Sequence, residues 1–304
     1  MAIDKIAIVG CGSMGLGIAE SAASHGVQVI AVEPTSAGHE AAEQRLVGAL
    51  DRKVARGRLD VAARDAILGR VRFTHHLEAL RDVDLVIESC AEDLTVKLDM
   101  LAKVERHVKK TAILASNTSS LKLADIARGL AHPERFVGLH FFTPVSAMKL
   151  VEVAGTAETD LDVRQRATDF ITRLDKTPVQ IQDTAGYVVN RLLIPTILHA
   201  IETLELGVAT ADAIDMAMKL GAGHPMGPLA LADLIGLDVV LTMAKTMHTE
   251  LRDSRFRAPS LLRRLVLAGH LGRKTQRGIY DYTNAEDPMV NPAIDLVAIT
   301  ATGT

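Results

Sequence analysis

Tryptophan is absent from this chain of 304 residues, and aromatic residues make up only 3 % of it. A core without large rings has to be aliphatic, built on Ala, Leu, Ile, Val and Met. Cysteine is scarcer still: Cys11 and Cys90 are the only two. Two cysteines make no disulfide framework, so the expected setting is reducing and cytoplasmic. No apolar run approaches the roughly 18 residues that a membrane-spanning helix needs. A secretory leader is not expected either, because Met1–Lys5 leads straight into an apolar strand without a small-residue cleavage site. An excess of positive charge is also lacking. The net charge of −3 gives a nucleic-acid role no support.

What is present belongs to an ordinary globular chain, long enough for two domains. Eight short, largely apolar runs alternate with helical patterns: Ile3–Val9, Val27–Val32, Val71–Thr74, Leu85–Glu88, Ala112–Ala115, Phe136–His140, Lys149–Val153 and Pro178–Ile181. That alternation predicts βαβ units and a parallel sheet. The run IAIVG is apolar on both faces, as a strand covered on both sides must be. Near Asp183 the spacing turns helical throughout. Helices are expected over Gly186–Glu205 with a kink at Pro195, over Thr210–Leu220 with Gly221 at its end, over Leu229–Glu250, and over Ser260–Ala268. The expected fold class is α/β: a Rossmann-type, largely parallel sheet domain over 1–185, then an all-α domain over 186–304. The tail after Tyr282 is mixed in content and is expected to pack poorly.

Residues 10–15 read GCGSMG, so Gly10, Gly12 and Gly15 satisfy G-x-G-x-x-G. The pattern follows a strand and opens a helix, and a second strand ends in Glu33, 23 residues after Gly10. This is the full context of a dinucleotide site. Gly10 permits the tight turn, Gly12 lets backbone approach the pyrophosphate, and Gly15 lets the helix pack on the strand. Ser13 and Met14 begin the helix, whose free N–H groups suit phosphate oxygens. Glu33 is placed to accept hydrogen bonds from the adenine ribose. A bare glycine-rich turn is the plain alternative, and flavin uses the same fingerprint. NADP is disfavoured, since its 2′-phosphate wants an Arg where Pro34-Thr35-Ser36 stands.

The segment SNTSSLKLADIARGLAHPERFVGLHFFTPVSAMKLVEV, residues 116–153, puts polar groups at predicted strand ends, where ligands bind open α/β sheets. Asn117, Thr118 and Ser119 follow one strand. His140 sits near the end of the next, and an imidazole there can exchange a proton. Glu152, in a neighbouring apolar run, asks for a partner and fits that imidazole, although a Lys would serve equally well. On the residues alone, His140 also reads as a structural histidine, and the Ser and Asn side chains as turn residues or helix caps.

Five motifs carry a resemblance: SNTSS, GLHFFTPVSAMKLVEV, DTAGYVVNRLL, AMKLGAGHPMGPLALADLIGLD and GRKTQRGIYDY. Over about residues 3–282 the chain resembles the 3-hydroxyacyl-CoA dehydrogenases, more narrowly the 3-hydroxybutyryl-CoA type. The resemblance implies an NAD-dependent enzyme with His140 as catalytic base and Glu152 as its carboxylate partner. It implies that Ser119 touches cofactor and substrate, and that Asn190 serves the reaction from the start of the helical domain. Glu92 and Lys97 would line the cofactor site with Asn117, and Lys274 would stand near the cofactor. No metal is implied. The sequence departs from the family twice, with Thr143 where Asn is usual in HFF-N-P, and Glu33 where Asp is usual.

The family contacts CoA through the region of Arg45, Arg52 and Arg56, which share a face of one predicted helix with Lys53 and Arg58 close by; Arg52, Lys53 and Arg56 are the candidate phosphate contacts. A solvated basic face balanced by Glu40 and Glu43 explains the same residues. The resemblance also implies a homodimer through the helical domain, with an acyl-CoA thioester as partner. Rival readings are a dehydrogenase of a free hydroxy acid such as gulonate or carnitine, and a non-catalytic NAD-binding protein. One half of a larger oxidation complex is a third, and its other activities would need separate chains.

Overall fold

The computed structural model of the protein describes residues 2–284, 288–292 and 294. It divides into two compact units between Tyr187 and Val188. In the first unit one eight-stranded sheet is formed by β1 (Lys5–Val9), β2 (Gln28–Val32), β3 (Val71–Thr74), β4 (Leu85–Glu88), β5 (Ile113–Ser116), β6 (Phe136–Phe141), β7 (Leu150–Gly155) and β8 (Thr177–Gln182). Its order is β3-β2-β1-β4-β5-β6-β7-β8. The chain winds outward from β1 through β2 to β3, then returns to place β4 on the other side of β1. That reversal opens a crevice at the carboxyl ends of β1 and β4, the place where open α/β sheets take ligands.

Helices α1 (Ser13–Ser24), α2 (Ser36–Ala55), α3 (Val61–Leu68), α4 (Leu94–Glu105), α5 (Leu123–Ala127) and α6 (Leu161–Arg173) cover the two faces. The period of two along each strand sorts the core. Ile6 and Ile8 of β1 pack with Ile18 and Ala22 of α1 and Phe170 of α6. Ala7 and Val9 pack on the other face with Leu101 of α4 and Ile126 of α5. Strands β4, β5 and β6 are buried along their whole length, whereas β3 and β8 at the edges are not.

One pairing departs from the expected parallel sheet: β6 and β7 run antiparallel. The cause is the connection. Residues 142–149 are too few for the crossover of a dozen or more residues that a parallel pair requires.

The second unit is helical: α7 (Val189–Glu205), α8 (Ala211–Ala222), α9 (Pro228–Ile235), α10 (Leu237–Leu251) and α11 (Ser260–Leu267), with a short antiparallel pair β9 (Tyr280–Asp281) and β10 (Met289–Val290). Thr210 caps α8, its hydroxyl accepting from Ala213 N. Three expectations are corrected. Gly221 lies inside α8, and Gly223, at φ 69°, ends it. Leu229–Glu250 is two helices rather than one, because Gly236 takes φ 104°, a conformation that only glycine adopts readily. Helix α7 begins at Val189 rather than Gly186, and Pro195 lies inside it. Two buried carboxylates tie the small strands to the helices. Asp233 accepts from Ile279 N and Tyr280 N, and Asp215 from Leu229 N, Ala230 N and the Tyr280 hydroxyl. Of the tail after Tyr282, Asn291 is buried and donates to Gly278 O at 2.7 Å; residues 295–304 fall outside the described residues.

Candidate active site

The glycine loop joins β1 to α1 at the crevice. A Cβ on Gly15 would stand 2.0 Å from Gly10 O, and one on Gly10 would stand 2.7 Å from Ser89 O, so the turn closes only around bare backbone. Gly12 differs, since a Cβ there would meet nothing within 4 Å. The space in front of it is open, and Gly12 caps α1 without a side-chain hydrogen bond. The first N–H groups of α1, on Ser13 and Met14, therefore face a gap at the positive end of a helix dipole. At the end of β2, Glu33 accepts from Cys11 N at 2.5 Å through Oε1. This arrangement fits a dinucleotide: a phosphate cradle, with a carboxylate fixed beside it for a ribose. Arg45 donates to Cys11 O at 3.2 Å, so α2 supports the loop as well.

Behind the loop a charged network joins β4, β5 and α4. Lys97 is buried to 1 % exposure and sets its ammonium 2.9 and 3.1 Å from the two oxygens of Glu88, and 3.3 Å from Glu92 Oε2. Glu88 also accepts from Cys90 N and the Ser116 hydroxyl, both at 2.6 Å. Glu92 turns its other oxygen to the loop after β5, where it takes the hydroxyl of Thr118 at 2.7 Å and the backbone N–H groups of Ser119 and Ser120 at 2.9 Å. Burial alone would raise the Glu92 carboxyl; the Lys97 ammonium and these hydrogen bonds outweigh it and hold the group below its ordinary value. Lys97 thus stands in the interior and holds the carboxylate that shapes the Ser119 loop. Glu88 was missed from the sequence, though an acid ending an apolar strand was a signal of the same kind as Glu152.

On β6 and β7, His140 and Glu152 are cross-strand partners. Nδ1 of His140 lies 2.7 Å from Glu152 Oε2, and both side chains are buried. With the carboxylate taking Nδ1–H, the lone pair of the ring is on Nε2. The imidazole lies between two rings, with Phe142 at 4.4 Å and Tyr187 at 5.6 Å between centroids. Tyr187 is almost wholly buried, which pushes its hydroxyl well above the usual range, and that hydroxyl has no hydrogen-bond partner among the described residues. Asn117 accepts from Phe141 N at 2.9 Å, which ties the loop after β5 to the strand carrying His140. Thr143 turns its hydroxyl to Met14 Sδ at 2.7 Å, so the residue that departs from the family pattern touches the glycine-loop helix.

Within the first unit, then, the fingerprint residues, Glu33, Glu92, Lys97, Asn117, Ser119, His140 and Glu152 all lie at or beside the carboxyl ends of β1, β2, β4, β5 and β6. Asn190 and Lys274 belong to the second unit. Asn190 is buried in the first turn of α7, and Lys274 spans both oxygens of Asp238, at 2.5 and 2.6 Å. The basic helix is not a single free face. Arg45 turns to the glycine loop and Lys53 pairs with Glu20 of α1, while Arg52 and Arg56 stay exposed.

The cysteines flank the same loop. Burial pushes the thiols of Cys11 and Cys90 up to about 12, which disfavours the thiolate.

Two family models match nearly the whole described chain: the 3-hydroxyacyl-CoA dehydrogenase NAD binding domain over residues 5–184, and the C-terminal domain of the same enzymes over residues 186–282. A curated 3-hydroxybutyryl-CoA dehydrogenase of Mycobacterium tuberculosis is 43 % identical over 283 residues, covering 92 % of this chain and 99 % of that protein. The crystal structure of M. tuberculosis FadB2 superposes with a TM-score of 0.91 at 43 % identity, over 93 % of this chain and 100 % of that one. The (S)-3-hydroxybutyryl-CoA dehydrogenase PaaH1 of Ralstonia eutropha gives a TM-score of 0.88 at 37 % identity, with the same coverage. With its glycine cradle, its buried His140–Glu152 pair and these matches along its length, the chain belongs to the 3-hydroxyacyl-CoA dehydrogenase family.

Proposed function

We propose that the protein interconverts short 3-hydroxyacyl-CoA and 3-oxoacyl-CoA thioesters, 3-hydroxybutyryl-CoA and acetoacetyl-CoA foremost. The observation that carries this reading is the 2.7 Å contact from His140 Nδ1 to Glu152 beside a glycine cradle that fits NAD. NAD, when bound, supplies the hydride acceptor at C3 of the substrate. His140 takes the proton of the 3-hydroxyl at Nε2. Glu152 keeps the ring in the tautomer that leaves Nε2 free, and balances the charge once the proton arrives. In the reverse direction Nε2 returns that proton to the forming alkoxide. Ser119 is assigned to the reacting oxygen or the thioester carbonyl. Glu92 and Lys97 hold the Ser119 loop, Glu33 takes the adenine ribose, and Arg52 and Arg56 are left for the CoA phosphates.

In this reading the first 185 residues bind the cofactor, and the helical remainder binds substrate and makes a homodimer. Exposed Leu192, Leu206, Val208 and Leu220 support the dimer. The two unpaired cysteines support a cytoplasmic setting, with fatty-acid metabolism as the context.

The test is oxidation of NADH on mixing the protein with acetoacetyl-CoA, with NADPH and free acetoacetate in parallel. Turnover with NADH and only the thioester is expected. Turnover with the free acid instead moves the protein to the hydroxy-acid dehydrogenases. His140→Gln is expected to lose at least about two decades in kcat while still binding NADH. A monomer mass by light scattering overturns the dimer.

A further inference from the structure

Tyr187 is the last residue of the first unit, and the loop after β8 delivers it to the side of His140. Asp183 fastens that loop to the start of α5, accepting from Leu123 N at 2.8 Å and Ala124 N at 2.9 Å. The chain then turns through Gly186 at φ 76° and Tyr187 at φ 48°, and Tyr187 N donates to Thr184 O at 3.1 Å. A left-handed backbone is ordinary for glycine and rare for a residue with a large ring. Held in this way, the side chain is buried to 2 % exposure.

The sheet has a hollow for it. With a period of two, Gly138 and His140 share one face of β6, and their cross-strand partners Ala154 and Glu152 share the same face of β7. Gly138 and Ala154 carry almost no side chain, so a gap is left beside the His140–Glu152 pair. Tyr187 fills it. A Cβ on Gly138 would stand 3.2 Å from the Tyr187 hydroxyl, and Ala154 and Leu123 belong to the same buried cluster as the ring. The ring lies 5.6 Å from the imidazole, inclined at 45°.

The hydroxyl gives no reason for this arrangement. It has no hydrogen-bond partner among the described residues. Burial, with the carboxylates of Asp183, Glu92 and Glu152 adding to it, opposes its ionisation, so it gives up no proton near neutral pH. A left-handed tyrosine and a buried, unpaired hydroxyl are both unfavourable, and strain of this kind gathers at functional sites. What accompanies them here is the contact of the ring with His140.

We propose that Tyr187 is a positioning residue for His140, its ring backing the imidazole so that Nδ1 stays on Glu152 and Nε2 keeps one direction. A hydrogen bond at Nδ1 fixes the tautomer but lets the imidazole tilt about that contact. A rigid ring beside it removes the tilt, and by filling the hollow it keeps water from competing for Glu152. Misdirecting a reacting group by a fraction of an ångström is enough to slow a proton transfer.

The role rests on His140 as the base. Tyr187→Phe keeps the ring, so its kcat should stay within about threefold, with a melting temperature equal or higher. Tyr187→Leu and Tyr187→Met should lower kcat about tenfold, with KM for acetoacetyl-CoA and NADH affinity within about twofold. Methionine fills the hollow with a flexible chain, so it tests the rigid ring even where leucine unfolds the protein. Phe136→Leu empties the same cluster at the far end of β6 and should leave kcat within about threefold. On top of His140→Gln, Tyr187→Met should change the residual turnover by less than about twofold, since it acts through the imidazole. A tenfold loss in Tyr187→Phe overturns the proposal by assigning the effect to the hydroxyl. Full kcat in Tyr187→Met, an equal loss in Phe136→Leu, or an additive loss on His140→Gln overturns it by reducing Tyr187 to packing. Failure of His140 as the base shows differently: His140→Gln then keeps its turnover, whichever residue stands at 187.

Discussion

Glu152 stands directly across the β6–β7 ladder from His140 and accepts at Oε2 from Nδ1, 2.7 Å away, with neither group open to solvent. A carboxylate there fixes the tautomer and stabilises the protonated ring. Glu152→Gln keeps the shape and loses the charge. Its kcat is expected to fall by about 10²-fold with NADH binding unchanged. Turnover within a factor of three of the unaltered protein would mean that the ring needs no counter-charge.

The glycine loop separates folding from binding. Gly12→Ala puts a methyl into open space at an ordinary backbone angle, φ −66°, so the protein should melt at its usual temperature. That methyl occupies the gap meant for the pyrophosphate, and NADH affinity should drop by at least about tenfold. Gly15→Ala drives a Cβ to 2.0 Å from Gly10 O, so it should lower the melting temperature as well. Thermal scans with and without NADH distinguish the two. Equal behaviour would refute the assignment of their roles.

Lys97 and Glu88 form an ion pair in the interior, 1 % and 0 % exposed. Removing Lys97 leaves Glu88 a bare buried charge, at a cost of about 3–5 kcal/mol, whereas removing Glu88 leaves Lys97 its contact with Glu92. Lys97→Met should destabilise on that scale, and Glu88→Gln by less. The double variant should lose clearly less than the sum, because no lone charge at this pair remains. Additive losses in a denaturant cycle would show that the pair does not act as a unit.

Glu92 makes the Ser119 loop sensitive to acid. Its folded value is held below the ordinary 4.5, so the folded protein binds fewer protons there than the unfolded chain does. The stability it contributes is fully present above the unfolded value and is lost as pH falls through the folded one. Melting temperature should therefore drop as pH falls below the ordinary 4.5, and Glu92→Gln should flatten part of that slope. An identical slope in the variant would place the acid sensitivity elsewhere.

The sheet was legible because its strands are unusually explicit. Val71–Thr74 and Leu85–Glu88 begin and end where the apolar runs do, since polar or helix-starting residues bound them. The direction of β7 was not legible from its pattern, because a strand buried on both faces reads the same in either sense; only the short 142–149 connection reveals it. The break between α9 and α10 was hidden for a related reason. Apolar spacing continues across Gly236, and only the backbone angle of that glycine interrupts the helix. Among the candidate site residues, motif spacing located His140, Glu152 and Ser119. It did not find Glu88 or Tyr187, which touch other side chains in the interior and leave only a burial signature.

The His140–Glu152 pair has one more consequence, for how the sheet assembles. A slip of β7 by one residue against β6 would set Val151 or Val153 opposite His140, and would turn Glu152 onto the face packed by Val163, Ala167 and Phe170. A solitary carboxylate among those aliphatic and aromatic side chains costs several kcal/mol. Misaligned pairings of β6 with β7 are therefore rejected by the same carboxylate that serves the imidazole. The two residues assigned to proton transfer act as the proofreading mark for their own strands.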